Sequence, residues 1–356
     1  MRILFPYTGD TIGGSHWSSF ELIKVLITNG VLVDIVLHKE NDKISQILKN
    51  LSLPYIVLPA NSILSIGRKK SLIKFLLGDL WLLVVFVIKN KYEIIHTNDN
   101  RIHLAWAIVA KIAGIKQILH LRNSHLPHFK VWKRIQNFPS GYIYLSDFNG
   151  KDLMSRNLIK VKIPNPITIP FNIQKKKLGD RINVGFVGNI VPRKRFDLFS
   201  EICVKLNKIN DYNFQFNVFG TLGSQNKDDI LKLIPNLKFF DFVTDVSFIY
   251  QNIDILICTA ENEPLGRTVL EAMAFKVPVV ASNSGAFTKL LQDDRGYIAI
   301  SNKPDEFVDL VFEIINKWES LDLKLDENLN FVKEAYSPSK SSQSVIQFYN
   351  LILYKS

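Results

Sequence analysis

Short β-branched apolar runs alternate with longer amphipathic stretches along this chain of 356 residues, and the alternation is broken once, at Ile163-Pro-Asn-Pro-Ile-Thr-Ile-Pro. Such alternation is the signature of parallel sheets flanked by helices, because a parallel strand needs a crossover to return to the same edge. Three prolines in seven residues make a helix untenable there and a linker expected. Before the break the pattern predicts strands near Arg2–Pro6, Leu32–Leu37, Glu93–His96, Gln117–Leu121 and Gly141–Leu145, with helices over His16–Thr28 and Ile102–Ala113. It restarts at Ile182-Asn-Val-Gly-Phe-Val-Gly. Strands are then expected at Phe214–Phe219, Lys238–Phe242, Ile253–Cys258 and Val277–Ala281, with a last helix over Ser339–Tyr354. The fold class that follows is α/β: two Rossmann-like, doubly wound parallel-sheet domains facing a central cleft, with ligands beyond the carboxyl ends of the strands.

Charge divides the chain at the same place. Residues 1–172 carry 22 Lys and Arg against 10 Asp and Glu, a balance of +12; residues 173–356 carry 22 against 23, a balance of −1. All seven histidines, from His16 to His128, lie in the basic half. A basic surface suits nucleic acid, an anionic membrane or a phosphorylated substrate, or simply solvates the protein. Nucleic acid is disfavoured, because no stripe interleaves aromatic with basic residues. Leu80–Ile88 is nine apolar residues between Arg68-Lys69-Lys70 and Lys89-Asn90-Lys91, too short to span a bilayer, which takes about 20. It reads either as a helix largely buried against the first sheet or as a basic, apolar surface that docks on the inner membrane leaflet. Cys203 and Cys258 form no C-x-x-C pair, and the amino terminus carries no long apolar leader, so a cytoplasmic protein, peripheral on the inner face of the plasma membrane, is expected.

Three constellations carry chemistry. The sharpest is Glu261-Asn-Glu-Pro-Leu-Gly-Arg-Thr-Val-Leu-Glu-Ala-Met-Ala-Phe, where Glu263 and Glu271 straddle a Pro-Leu-Gly turn at a helix start. The backbone amides of Gly266, Arg267 and Thr268 are then first-turn donors, where a helix accepts phosphate. The second is Gly188-Asn-Ile-Val-Pro-Arg-Lys-Arg, whose Arg193, Lys194 and Arg195 follow a strand and match a diphosphate that gains charge as it leaves. The third is Gly9-Asp-Thr-Ile-Gly-Gly-Ser after the opening strand, where glycine allows close approach to a ligand; its spacing is not that of a nicotinamide dinucleotide site. His120 and Arg122 end a first-domain strand and by alternation share a side, and His16, His96, His103, His125 and His128 lie near strand ends or helix starts. No metal spacing, serine-nucleophile elbow or Walker loop occurs, so no metal and no cofactor is expected.

Together these residues resemble the retaining glycosyltransferases of family 4, of the GT-B fold, over nearly the whole chain. The E-x7-E signature matches Glu263 to Glu271; Val277-Pro-Val-Val-Ala-Ser and Ser284-Gly285 match the strand and glycine turn that follow it. Gly13-Gly14, Pro164-Asn165, and Gly188, Pro192 and Lys194 match the early glycine pair, the interdomain Pro-Asn and the second-domain G-x-x-x-P-x-K. The resemblance implies an acceptor-binding domain over 1–166, a nucleotide-sugar domain over 167–338, and a helix over 339–356 that crosses back onto the first. It implies a metal-independent, retaining hexosyl transfer from a nucleotide-diphosphate sugar, as co-substrate, to a lipid-linked, lipopolysaccharide or capsule glycan of the bacterial cell envelope. Glu271 would hold the ribose hydroxyls, Glu263 the donor sugar, and Lys194 with Arg193 the departing diphosphate. Phe242 and Val243, at a strand end, would line the base pocket. Gly13, Gly14, Asn189, Arg195, Leu265, Gly266, Arg267 and Thr268 would complete donor binding, and Arg122 or His120 would act from the first domain. Asn189 stands where the family has Arg, Lys276 where it has Gly, and Lys289 where an acid is common. A sugar-nucleotide epimerase or a phosphorylase of the same fold, and a non-catalytic nucleotide-sugar or glycan-binding subunit, are the alternative readings.

Overall fold

The computed structural model describes residues 1–9, 14–39, 41–60, 73–98, 100–122, 137–154, 158–209, 211–223, 230, 232–234 and 236–354. Residues 1–166 with 338–356 form one compact unit, and residues 167–337 form another.

The first unit is built on seven parallel strands: β1 (Arg2–Tyr7), β2 (Leu32–Leu37), β3 (Tyr55–Val57), β4 (Ile94–Thr97), β5 (Lys116–Leu121), β6 (Gly141–Tyr144) and β7 (Lys160–Lys162), in the order β3-β2-β1-β4-β5-β6-β7. The short edge strands β3 and β7 carry too few alternating apolar residues to be read from sequence. Alternation sends successive side chains to opposite faces. Leu4, Ile95 and Leu119 join one core with Leu83, Val87 and Trp106, while Ile3, Phe5, Ile94 and Ile118 join the other with Val345, Phe348, Tyr349 and Ile352. The last four belong to the helix Pro338–Tyr354, which also packs on the helix Gly14–Thr28. Its seat on the sheet demands a small residue: a Cβ at Gly141 would lie 2.7 Å from Phe348. Each fully buried aliphatic or aromatic side chain contributes about 1.5–3 kcal/mol, so four such anchors hold this helix firmly.

Leu80–Lys89 is helical, and a π turn, Phe75–Asp79, leads into it. The largely buried helix of one sequence reading is half right. Leu80, Leu83, Val84 and Val87 are buried, whereas Trp81, Leu82, Val85 and Ile88 are exposed.

The second unit contains six parallel strands: β8 (Arg181–Val187), β9 (Asn213–Phe219), β10 (Leu237–Phe239), β11 (Ile255–Cys258), β12 (Val279–Ser282) and β13 (Tyr297–Ala299), in the order β10-β9-β8-β11-β12-β13. The strand order reverses direction between β1 and β4 in the first unit and between β8 and β11 in the second. Ligands of doubly wound sheets bind outside the carboxyl ends at such switch points. The expected strand Lys238–Phe242 ends early. Asp241 turns to φ 50, and its carbonyl accepts from the Gly220 amide at 2.7 Å, which draws the chain off the sheet.

Candidate functional site

The loops after β8 and β11 flank the switch point of the second sheet. β8 runs into Gly188, at φ 147, and then into the single turn Pro192–Lys194, closed by Arg195 at φ 49. The glycine of the neighbouring strand end is obligatory: a Cβ at Gly220 would lie 2.1 Å from the Gly188 carbonyl oxygen. This turn is stitched to the β11 loop by two bonds. The Glu261 amide donates to the Arg193 carbonyl, and the Thr259 hydroxyl to the Lys194 carbonyl, each at 2.8 Å. The result brings both cations onto one carboxylate. Arg193 Nη1 lies 2.8 Å and Lys194 Nζ 3.0 Å from Glu263 Oε2.

Glu263 is buried, and burial alone would raise its carboxyl; Lys194 and Arg193 outweigh that and hold it down to about 2. Two cations and one carboxylate leave this cluster with a net charge of +1. The Ser284-Gly285 turn fixes the backbone that carries this carboxylate: Ser284 Oγ accepts from the Asn262 amide at 2.8 Å, and the Ala286 amide donates to the Glu263 backbone carbonyl at 2.9 Å. Gly285, at φ 60, is required there, since a Cβ would come within 2.4 Å of the Glu263 nitrogen.

Glu271 lies one turn inside the helix Arg267–Ala274. Gly266 precedes that helix at φ 82, and a Cβ there would also strike Leu290 at 2.7 Å, so conformation and packing both select glycine. The helix ladder begins with the Val269 amide donating to the Gly266 carbonyl. Glu271 is buried, with Arg267 Nε 2.6 Å from Oε1 and the Tyr250 hydroxyl 3.0 Å from Oε2. Arg267 thus positions its own helix neighbour rather than standing open. Thr268 is half-buried, 3.6 Å from Cys258 Sγ, and Leu265 is buried. Burial raises the Cys258 thiol to about 12, which removes it as a nucleophile.

Other sequence candidates sit differently. Arg195 is bound by Glu261 at 2.6 Å and Asp197 at 2.9 Å, so its charge is already enclosed by two carboxylates. Asn189 accepts from the Thr221 amide at 3.3 Å, tying the β8 and β9 loops together. Phe242 and Val243 lie not at a strand end but in the loop before the helix Val246–Gln251; Phe242 is exposed and Val243 half-buried. Lys276 stands at φ 55, a left-handed conformation that glycine adopts freely and that costs a side chain about 1 kcal/mol. Its ammonium pairs with Asp326 and offsets part of that cost.

In the first unit, alternation puts His96 and His120 on the face that meets the C-terminal helix. His96 Nδ1 bonds the Tyr349 hydroxyl, His96 Nε2 lies 3.1 Å from His120 Nδ1, and Arg122 Nη2 lies 3.3 Å from the same nitrogen. Arginine only donates, so His120 Nδ1 is an acceptor. His96 must therefore donate from Nε2 and accept the Tyr349 hydroxyl proton at Nδ1. Both imidazoles are neutral, and burial first, then the Arg122 charge, pushes their proton affinity well below the ordinary value. His120 Nε2 then carries a hydrogen, is buried, and has no partner among the described residues. Arg122 is buried and also binds Asn98 at 2.8 Å and the side chain of Asn165. Tyr349, Asn98 and Tyr250 were not marked by the sequence reading; they carry no motif, and only the fold brings them to these sites.

The remaining first-unit histidines divide. His38 donates from Nδ1 to the Leu58 carbonyl and accepts from Trp106 Nε1 at 3.1 Å, and His103 bonds Thr97 at 2.7 Å, so both have structural partners. His16 is buried beside Tyr7. Gly14 opens the helix Gly14–Thr28, is exposed, and an added Cβ would meet nothing. Gly9, at φ 81, is instead demanded by the fold, because its Cβ would fall 1.8 Å from the Lys39 carbonyl oxygen. Gly13, His125 and His128 lie outside the described residues. Among the described residues no three His, Cys, Asp or Glu side chains are grouped to hold a metal ion.

Residues 169–333 match the family model described as glycosyl transferases group 1. A capsular polysaccharide biosynthesis glycosyltransferase of Staphylococcus aureus, CapM, is 26% identical over 189 residues, which cover 51% of this chain and 49% of that protein. A poly(ribitol-phosphate) alpha-N-acetylglucosaminyltransferase of Staphylococcus aureus is 26% identical over 198 residues, 53% of this chain and 35% of that protein. The chain spans about half the length of the first curated relatives it matches. Among solved structures, Anabaena HepE in complex with UDP-glucose superposes with a TM-score of 0.79 at 19% identity, covering 98% of this chain and 99% of that one. The lipopolysaccharide outer core galactosyltransferase WaaB superposes at 0.70 and 16% identity over 100% of both chains. The fold is therefore that of the GT-B glycosyltransferases, and its second unit carries the stretch that matches glycosyl transferases group 1.

Proposed function

We propose that this protein is a retaining, metal-independent glycosyltransferase that moves a sugar from a nucleoside-diphosphate sugar onto a glycan or lipid-linked acceptor of a cell-surface polysaccharide. The observation that carries the reading is the Glu263–Arg193–Lys194 cluster at the switch point of the second sheet. In the transfer, the bond between the anomeric carbon and the diphosphate oxygen breaks, and the acceptor oxygen bonds the same carbon from the same face. The acceptor proton passes to the departing diphosphate. Negative charge thus grows on the leaving group, and pre-organised cations stabilise that charge without reorganising. Arg193 and Lys194 supply it, and Glu263 keeps both aimed while no diphosphate is bound. Once the diphosphate shares the cations, the ionised Glu263 is free to accept from sugar hydroxyls. Glu271, held by Arg267 and Tyr250, is an oriented acceptor for ribose hydroxyls, and the amino end of its helix favours phosphate.

The testing experiment is a thermal-shift screen of UDP, GDP, ADP and their sugars, with UDP-sugars first because HepE binds UDP-glucose. A true donor at about 100 times its Kd stabilises by roughly 2.7 kcal/mol. The stabilising donor is then incubated with lipid-linked and soluble glycan acceptors. Nucleoside diphosphate release with a lengthened glycan, its new linkage of the donor's anomeric configuration, is the expected product. Donor epimerised without transfer, or donor bound and never consumed, would replace the proposal with an epimerase or a binding subunit.

A further inference from the structure

The segment from Ile73 to Lys89 is apolar on both sides, yet only one side is covered. Phe75, Leu80, Leu83, Val84 and Val87 are buried in the first unit. In an unbroken α-helix Phe75 would face away from Leu80, since five residues turn through about 500°. The π turn Phe75–Asp79 inserts one residue and brings Phe75 round to the covered side. The same insertion aligns Ile73 and Leu77 with Trp81, Val85 and Ile88 on the opposite side. These five are 57%, 80%, 56%, 61% and 55% exposed. A helix hydrophobic all round is normally buried, and a contiguous exposed apolar patch marks an interaction surface.

Charge identifies the occupant. Lys74 and Lys89 lie beside the apolar stripe, Lys91 follows the helix, and all three are exposed. Asp79, the one acidic residue of the stretch, is half-buried, and its charge is felt at His38, where burial lowers the imidazole's proton affinity and the Leu58 carbonyl and Asp79 offset part of that. The outer face is therefore purely apolar and basic. Protein interfaces are depleted in lysine at their centre, and a second copy would bring surface of the same sign onto itself, since residues 1–172 carry a balance of +12. An anionic bilayer complements both features: apolar side chains enter the acyl boundary while lysines extend to the headgroups. Among the described residues no helix is long and apolar enough to cross a membrane. We infer that the helix from Ile73 to Lys89 lies in the plane of an anionic lipid surface, with Leu77, Trp81 and Val85 inserted and Lys74, Lys89 and Lys91 on the phosphates. This inference stands apart from the sugar-transfer reading, because none of these residues belongs to that site.

The test is co-sedimentation of the full chain with phosphatidylglycerol and with phosphatidylcholine vesicles. The wild type should bind phosphatidylglycerol vesicles and release as salt rises. The variant Leu77→Ser, Trp81→Ser, Val85→Ser should melt at an unchanged temperature and lose roughly tenfold or more in partition. Each Lys→Gln change at 74, 89 or 91 should lose about fivefold at low salt. Trp81 gives a check that needs no disruptive change: vesicles should shift wild-type fluorescence to the blue, and Trp81→Phe should abolish most of that shift. Equal binding by the triple-serine variant would overturn the inference. So would a wild type that ignores anionic vesicles, or one that forms a dimer which the triple change dissociates while no vesicle binding is seen.

Discussion

The two units place ionisable groups beside the switch points of similar sheets but run opposite electrostatics. In the second, Glu263 is kept ionised by two cations; in the first, His96 and His120 are kept neutral beside one arginine. Burial acts in the same direction in both, against charge. What differs is the neighbour: opposite charge overrides desolvation at Glu263, whereas the like charge of Arg122 adds to it at the histidines. A charged cluster suits a partner that carries or develops charge, and a neutral, tautomer-locked network suits hydroxyl groups. The proposed function uses that contrast by giving a diphosphate donor to the charged cluster and a glycan acceptor to the neutral network.

The largest effect is expected where the charged cluster is broken. Glu263→Gln keeps the shape but cannot hold both cations, and turnover of the stabilising donor should fall by about 10²–10³ or more while nucleotide affinity changes little. Wild-type turnover would remove Glu263 from the mechanism. Glu271→Ala should separate the two carboxylates: a loss of charge-assisted hydrogen bonds of about 1.5–3 kcal/mol predicts a 10- to 100-fold rise in nucleotide Kd, read by calorimetry. Equal effects of the two substitutions on Kd would erase the distinction between them.

Acid should sharpen the comparison between units. The histidines have folded-state proton affinities below their ordinary value of 6.5, so the unfolded chain binds more protons as pH drops below that value. Stability of the first unit is then lost by up to about 1.4 kcal/mol per pH unit for each proton taken up. Glu263 behaves alike in sign but in a lower window, between its ordinary 4.5 and about 2. Hydrogen exchange between pH 6.5 and 4.5 should therefore show the strands β4 and β5 loosening before β8 and β11. The smallest effect is assigned to Tyr349→Phe, which removes the donor to His96 and should cost about 1 kcal/mol by chemical denaturation. It should also move any pH dependence of transfer, because His96 Nδ1 then loses the donor that favours its neutral form. An unmoved profile would make the hydroxyl merely structural.

Much of this was legible before folding. Strands β1, β2, β5 and β9 follow the expected apolar runs closely, because in parallel strands buried on both faces the run itself is the signal. The short strands β3, β7 and β13 escaped, since three residues carry no period. At the site, Glu263, Glu271, Arg193 and Lys194 stood out through spacing around glycine turns. That Arg193 and Lys194 share one carboxylate, and that Arg195 does not join them, was not legible. Residues 193 and 195 are two apart, and the left-handed turn at Arg195 decides which of them faces Glu263 and which faces Glu261. Phe242 illustrates the converse: a run that reads as strand is cut short because Asp241 turns to serve Gly220.

The amino-acid sequence by itself determined the element order, the two-sheet class and the chemical types available at each strand end, all of which depend on local periodicity and on glycine, proline and charge spacing. Tertiary structure alone decided which groups meet. Tyr349 reaches His96 across 253 positions, Tyr250 reaches Glu271 across 21, and the π turn exposes one apolar face of a helix that sequence could bury entirely. Proton affinities follow from those meetings, because desolvation and neighbouring charge act through space rather than along the chain.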